Sequence, residues 1–502
     1  MTIRVTAAGL RDIAVVLGLY VASTALFALL GVTFDMTPTE YFMQFIDPQL
    51  MQARFFESIW YWHATPPMLN VIYGIGMHAF GEYQSAFYSV LYHALGLLTG
   101  VAVWLLTWKL GGSRIAAGIA TGLVFFNPDF VLYQNWLMYE MPAVAFLTLA
   151  AWALYRYVET RSMKWAVALF SLLAALLLTR SVFHLACMVL IVGALALLCR
   201  EHWRQVLTAA ALPVLIVAGW YAKNLYQVGS FSSSTWMGLG FTNISTLILT
   251  RPELLEMVQR GEISALALVS RYDDRELLFS ATQGPPSGIP VLDNKINSTR
   301  AYNYNYRPLV AFGRKYTEDG LKVIRSHPGA YVIGLTIANR LFFSPNNVNP
   351  FFLLNNRDAA LKVNRVLMPV LYGVRPRVQW VKIPRYGFER GVEVPVHMSV
   401  PLAIAWLLVL GYGYMQMRSG LRAADRAVQA RAIVIGFILL TCLWVYALGT
   451  ALELGENYRY RFLTDSLFMV LEVTAITALV RKLRRSRSTN EVSTPSPAGA
   501  SV

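Results

Sequence analysis

Charge is what this 502-residue chain has least of: only 14% of its residues are Asp, Glu, Lys or Arg, against 56% that are hydrophobic. A soluble protein of this length would not carry so apolar a composition, so its main solvent is lipid. Cysteine is scarcer still. Cys187, Cys199 and Cys442 all fall in apolar runs or at a cytoplasmic edge, which excludes a disulfide framework in the outer loops and leaves the redox compartment open. Histidine is also rare, and the spacing of His63, His78 and His93 fits no zinc-ligand pattern. There is no internal repeat.

What is present is a set of apolar runs long enough to cross roughly 30 Å of hydrocarbon: 11–31, 85–108, 115–132, 141–157, 165–180, 182–199, 206–222, 397–415, 432–451 and 462–480. These predict ten spans, the first of them a retained helix rather than a cleaved leader. The net charge of +15 would suit nucleic acid if it were clustered on a soluble face. Instead Lys and Arg collect in alternate short loops, as at Arg156, Arg161 and Lys164, at Arg418, Arg422, Arg426 and Arg431, and from Arg481 to Arg487. That asymmetry puts those loops in the cytoplasm and predicts a membrane partner, with no nucleic acid. Because 416–431 is too basic to face outward, an even number of crossings must separate the spans ending at 222 and starting at 397. The apolar segment 329–344 is therefore read as an interfacial helix, the alternative being a span paired with a second crossing near 361–375.

With the topology assigned, the outer face collects the unusual polar residues. Asp35 lies a few residues beyond the first span, where low dielectric raises a carboxylate's pKa and suits it to act as a general base. Glu40 and Asp47 are rivals in the same loop, with Pro38 and Pro48 marking short helical starts. Trp60-Tyr61-Trp62-His63 and Pro66-Pro67 follow; the aromatics alone read as headgroup anchors, and His63 alone as a structural residue. Glu140 sits at a helix start, where its charge favours the N-terminus in any case. Arg180, between two spans with almost no loop, must lie near the outer headgroups, and a lipid-borne phosphate is the anion its guanidinium fits. Lys223, Arg459 and Arg461 are further outer cations that run against the usual charge bias. The run Tyr302-Asn303-Tyr304-Asn305-Tyr306 could stack on a sugar, or be plain surface structure.

In their order along the chain these features resemble the glycosyltransferase C superfamily, in particular its lipid-phosphate-sugar branch, which includes the protein O-mannosyltransferases and the aminoarabinose transferase of lipid A. The resemblance rests on Phe34-Asp35 after the first span, Thr65-Pro66-Pro67-Met68-Leu69, Glu140 before the fourth span, Thr179-Arg180 after the fifth, Trp220 to Asn224 ending the seventh, and Tyr458-Arg459-Tyr460-Arg461 before the last. Two departures stand out. Met36 follows Asp35 where relatives often have a second acid, which leaves the base open among Asp35, Glu40 and Asp47. Lys223 stands where Arg is more usual, keeping charge but not bidentate geometry.

The resemblance implies an all-α polytopic membrane protein, a glycosyltransferase C-like helical bundle of about ten or more spans with an outer-face helical subdomain. Its expected parts are a membrane core 1–222 with an acidic first outer loop 32–84, an outer region 223–396, spans in 397–480, and a basic, disordered tail 481–502. It further implies inverting transfer of a sugar from a polyprenyl-phosphate donor to a glycan, lipid or protein acceptor on the outer face; the expected setting is a bacterial inner membrane, ahead of a eukaryotic reticulum membrane. Arg180, Lys223, Arg459 and Arg461 would hold the donor phosphate, and His63, Glu140, Tyr302 and Tyr304 would contact substrate. No metal or cofactor is obligatory on this reading, though some relatives use a divalent ion. The competing readings are a lipid-linked sugar flippase, expected to show broken helices and mid-membrane charges, and an O-antigen-ligase-like transferase using a diphosphate donor.

Overall fold

The computed structural model describes residues 7–246, 248–269, 275–344, 351–371, 378–381, 392–395 and 399–492. Helix α1 (Ala7–Leu29) leads into a loop with three short helices, α2 (Pro38–Tyr41), α3 (Pro48–Ala53) and α4 (Phe55–Trp60). Both α2 and α3 open on proline, which costs nothing where the N–H has no helical partner. The membrane body continues with α5 (Met68–Phe80), α6 (Gln84–Lys109), α7 (Arg114–Phe125), α8 (Pro128–Gln134), α9 (Glu140–Thr160), α10 (Met163–Leu177), α11 (Leu185–Leu198) and α12 (Trp203–Val228).

Among the described residues, seven helical stretches are long and apolar enough to cross a membrane, or eight if the bent pair α7–α8, broken by 60° before Pro128, is one span. The ten spans expected from the sequence are not all of that length. α10 and α11 run 15 and 14 residues, about 21–22 Å at 1.5 Å per residue, because Leu178 to His184 form a turn that the apolar pattern had absorbed into both runs. That turn carries Arg180.

Packing centres on α9. Its apolar window is 78% buried, against 17% for α1. Ala143, Ala145, Ala150, Ala151 and Ala153 let α6, α10 and the C-terminal helices approach closely, which matters where lipid offers no hydrophobic drive to helix association.

After α12 come α13 (Met237–Ser245), α14 (Arg251–Gln259), α15 (Arg275–Ala281), α16 (Pro290–Asp293), α17 (Leu309–Ser326), α18 (Pro328–Phe342) and α19 (Leu354–Leu371). None is among the candidate spans. α17 buries Leu309, Phe312, Tyr316 and Val323 at helical spacing while Arg314, Glu318 and Lys322 stay exposed. It lies so close to α13 that a β-carbon at Gly238 would collide with the Gly313 carbonyl. α18 leans on the C-terminal helices, where Tyr331 donates to the Ala451 carbonyl at 2.9 Å and Tyr446 to Asn339 Oδ1 at 2.6 Å. A small antiparallel ribbon, β1 (Val378–Val381) with β2 (Val392–Pro395), precedes α20 (Val400–Gly420), α21 (Arg426–Ala451) and α22 (Asn457–Val492). α22 continues twelve residues past the expected end of the last span at 480, so the first part of the tail is helical rather than disordered. Lys and Arg are good helix formers, and no proline intervenes before Pro495; the remainder of the tail lies outside the described residues.

Candidate active site

The site begins where the chain leaves α1. Asp35 is 2% exposed, and its backbone forms a parallel bridge with Trp136. Its N–H donates to the Asn135 carbonyl at 2.8 Å, and its carbonyl accepts from Leu137 N–H at 3.0 Å. The carboxylate is held by one oxygen only. Oδ1 accepts from Thr37 N–H at 2.9 Å and from Thr37 Oγ1 at 2.7 Å, while Oδ2 is buried with no hydrogen-bond partner. Burial pushes the carboxyl above its usual pKa, the Thr37 bonds oppose that, and the nearby charge of Glu40 adds to it.

The bridge draws Asp35 to the segment leading into α9, whose first residue is Glu140. Glu140 is fully buried. Its Oε1 accepts from Arg459 Nε at 2.9 Å and Nη2 at 2.5 Å, and Arg180 Nη2 lies 3.9 Å away. Arg459 also bonds Glu456 at 2.5 Å and stacks over the Trp136 ring at 5.3 Å. Arg180 lies over Tyr139 at 4.2 Å and Tyr460 at 5.0 Å. Three atoms of this cluster are buried without a hydrogen-bond partner: Glu140 Oε2, Arg180 Nε and Trp136 Nε1. Glu140, Arg180 and Arg459, drawn from three distant parts of the chain, thus share one aromatic-walled neighbourhood, to which Asp35 is tied through the Trp136 backbone.

Lys223, near the end of α12, reaches the loop between α4 and α5. Its Nζ donates to the Trp62 carbonyl at 2.6 Å and sits 3.6 Å over the Trp220 ring, with no carboxylate within ion-pair distance among the described residues. His63, next along, is fully buried; Nδ1 pairs with Thr235 Oγ1 at 2.9 Å and Nε2 has no partner. Burial, with the Lys223 charge second, pushes its pKa down to about 3, so it is neutral. The Asn305 amide oxygen accepts from both His63 and Ala64 N–H, at 2.7 and 2.9 Å. The loop after Pro67 is tied to the Arg180 turn, since Met68 N–H donates to the Leu178 carbonyl at 2.9 Å.

The other sequence candidates have different surroundings. Glu40 is exposed on α2. Asp47 caps α3 through Gln49 N–H and accepts from Ser298 N–H at 2.7 Å and Ser298 Oγ at 2.5 Å, so both its oxygens are occupied in joining two loops. Arg461 faces Asp465 at 3.2 Å and Asp129 at 4.0 Å and donates to the Phe342 and Ser344 carbonyls. Tyr304 packs against Trp236 and Phe279, and Tyr302 against Phe279, placing both rings in an aromatic core. Among the described residues no three His, Cys, Asp or Glu side chains converge in a metal-holding group. Sequence reasoning passed over Thr37, Trp136, Tyr139 and Glu456. Tyr139 and Glu456 carried a weak signal, being close neighbours of Glu140 and Arg459; Trp136 carried none, since nothing local announces a bridge to Asp35.

No family model and no curated protein matches this sequence. Among solved structures, the chain is similar to an oligosaccharyltransferase of Archaeoglobus fulgidus, crystallised tethered to an acceptor peptide, at 13% identity over 97% of this chain and 52% of that one, with a TM-score of 0.38. It is also similar to ArnT of Cupriavidus metallidurans bound to undecaprenyl phosphate, at 15% identity over 92% of this chain and 78% of that one, with a TM-score of 0.33. The chain thus spans about half the length of the archaeal protein. At these scores the likeness is a loose one of helical arrangement.

Proposed function

We propose that this chain is a membrane-integral glycosyltransferase of the glycosyltransferase C type, moving a sugar from a polyprenyl-phosphate donor to an acceptor by inverting displacement. The observation that carries the reading is Asp35: a buried carboxylate with one oxygen fixed by Thr37 and the other free, bridged to the segment that bears Glu140 and, through Trp136, stacked on by Arg459. The motif order read in the sequence supports it.

On this reading Asp35 Oδ2 takes the proton of an acceptor O–H or N–H as that atom attacks the anomeric carbon. The bond from the anomeric carbon to the phosphate oxygen breaks, and polyprenyl phosphate departs carrying the negative charge. Arg180 and Lys223 are the cations placed to receive it: Arg180 meets Glu140 only at 3.9 Å and Lys223 has no carboxylate within ion-pair distance among the described residues, and preorganised charge of that kind stabilises the transition state. Arg459 acts one step back, holding Glu140 in place. Residues 1–222 and 397–480 form the membrane body and 223–396 the outer region in this account, with the bacterial inner membrane as the setting. Sugar and acceptor identity lie in 223–396.

A second reading, a lipid-linked sugar flippase, is favoured by the broken α7–α8 pair and by Glu472, a half-buried acid inside α22. The two separate cleanly in detergent micelles, where there is no second leaflet to cross. The purified protein supplied with synthetic polyprenyl-phosphate sugars and a panel of cell-envelope acceptors should release polyprenyl phosphate and glycosylate an acceptor. Movement of donor across sealed vesicles without any release in micelles would overturn the transferase.

A further inference from the structure

The bridge that holds Asp35 is one residue long, and its partner strand runs out immediately. Residues two apart in an extended segment present their backbone groups to the same edge, so after Asp35 binds Asn135 and Leu137, Thr33 should find its partner two residues before Asn135. No strand is there. Gln134 ends α8, and the Asn135 N–H that would complete the rung is spent on the Val131 and Leu132 carbonyls, at 3.1 and 3.2 Å. The rung is made instead by a side chain 323 positions away. The Asn356 amide on α19 accepts from Thr33 N–H through Oδ1 at 3.0 Å and donates to the Thr33 carbonyl through Nδ2 at 2.8 Å. Asn356 is 2% exposed, so its side chain is withdrawn from water while Thr33 stays at the surface. Just before it, Phe351 packs on Phe42 at 5.0 Å, and Phe352 on Trp136 at 5.0 Å and Tyr133 at 5.1 Å.

We propose that Asn356 is a positioning residue for Asp35: its amide supplies the missing rung of the ladder and, with Phe351 and Phe352, holds residues 33–37 in one register against 135–137. The idea rests on the reading of Asp35 as the base, since only then does the orientation of its free oxygen matter. It assigns to α19, in the outer region, a part in the chemistry of the first loop.

The test uses the full-length protein in lipid nanodiscs and two readouts, backbone hydrogen exchange and the pH midpoint of carbodiimide labelling of Asp35. In Asn356→Ala the amides of 33–37 should exchange at least about tenfold faster, the factor expected from losing one or two net hydrogen bonds, while the α9 amides are unchanged. The labelling midpoint should move down toward the ordinary carboxylate range as water reaches Asp35, which a purely structural role for Asn356 would not produce. Asn356→Asp, nearly isosteric but lacking the donor, should show the same changes and serves if the alanine variant does not fold. Unchanged exchange and midpoint in either folded variant, or exchange that rises evenly across the whole chain, would overturn the proposal. Asp35→Asn separates the two ideas: full turnover in that variant removes the base reading, whereas loss of turnover there with parental exchange in Asn356→Ala removes only the positioning role.

Discussion

Replacing Arg459 with Met should be among the most destabilising single changes in the molecule. The side chain is 1% exposed, and its guanidinium makes two bonds to Glu140, one to Glu456 and a longer one of 3.4 Å to the Tyr139 hydroxyl. Methionine fills much of the volume but leaves Glu140 buried with only Arg180, at 3.9 Å, to offset its charge. Breaking a buried pair from one side costs about 3–5 kcal/mol, because the surviving charge is stranded. Glu140→Gln should cost less, about 1–3 kcal/mol, since Arg459 keeps Glu456 and the amide oxygen still accepts a bond. The double variant should then be less damaged than the sum of the two, by about 1–3 kcal/mol of coupling. Reversible unfolding in mixed SDS micelles, run as a double-mutant cycle, measures all three. Two single losses below about 1 kcal/mol that simply add would be the behaviour of an exposed pair, and would refute a desolvated Glu140–Arg459 pair.

Asp35 gives a stability prediction with a definite sign. Its folded-state pKa is raised by burial, so folding favours the protonated form, and the stability it contributes is complete below the ordinary carboxylate range and lost as pH rises through the folded value. Asp35→Asn, neutral at every pH, should therefore gain in melting temperature relative to the parent between pH 4 and pH 8; a difference flat across that range, or reversed, would contradict the raised pKa. Arg180→Ala and Lys223→Ala should each weaken binding of undecaprenyl phosphate by about 1.5–3 kcal/mol, the worth of one charge-assisted contact, in a titration by intrinsic tryptophan fluorescence. Parental affinity in both would mean that these cations only anchor the protein at the headgroups.

Much of the membrane body is legible in the sequence because lipid imposes long apolar runs. All ten predicted runs overlap helices, but the lengths of α10 and α11 were not legible, since hydropathy does not distinguish Leu178 in a turn from Leu177 in a helix. The residues of the site were visible one by one, as acids and cations where few belong. Their grouping was not, because the Glu140–Arg459 pair joins positions 319 apart and no local pattern encodes such a contact. Asp47 illustrates the reverse: its sequence context is as suggestive as that of Asp35, yet its oxygens are filled by Gln49 and Ser298. Asn356 was invisible, since an Asn near the start of an ordinary helix carries no signal until its amide is seen on Thr33.

The claim on which the account turns is that Asp35 removes the acceptor's proton. Asn in its place keeps the size and the Thr37 contact geometry but cannot take up a proton, so the decisive measurement is single-turnover transfer from a polyprenyl-phosphate sugar by Asp35→Asn, with Glu40→Gln and Asp47→Asn alongside. Asp35→Asn should slow transfer by roughly 100-fold or more, the scale of a lost general base, while still binding undecaprenyl phosphate, and the other two should do less. Near-parental turnover in Asp35→Asn would contradict it, and the base would have to be sought elsewhere.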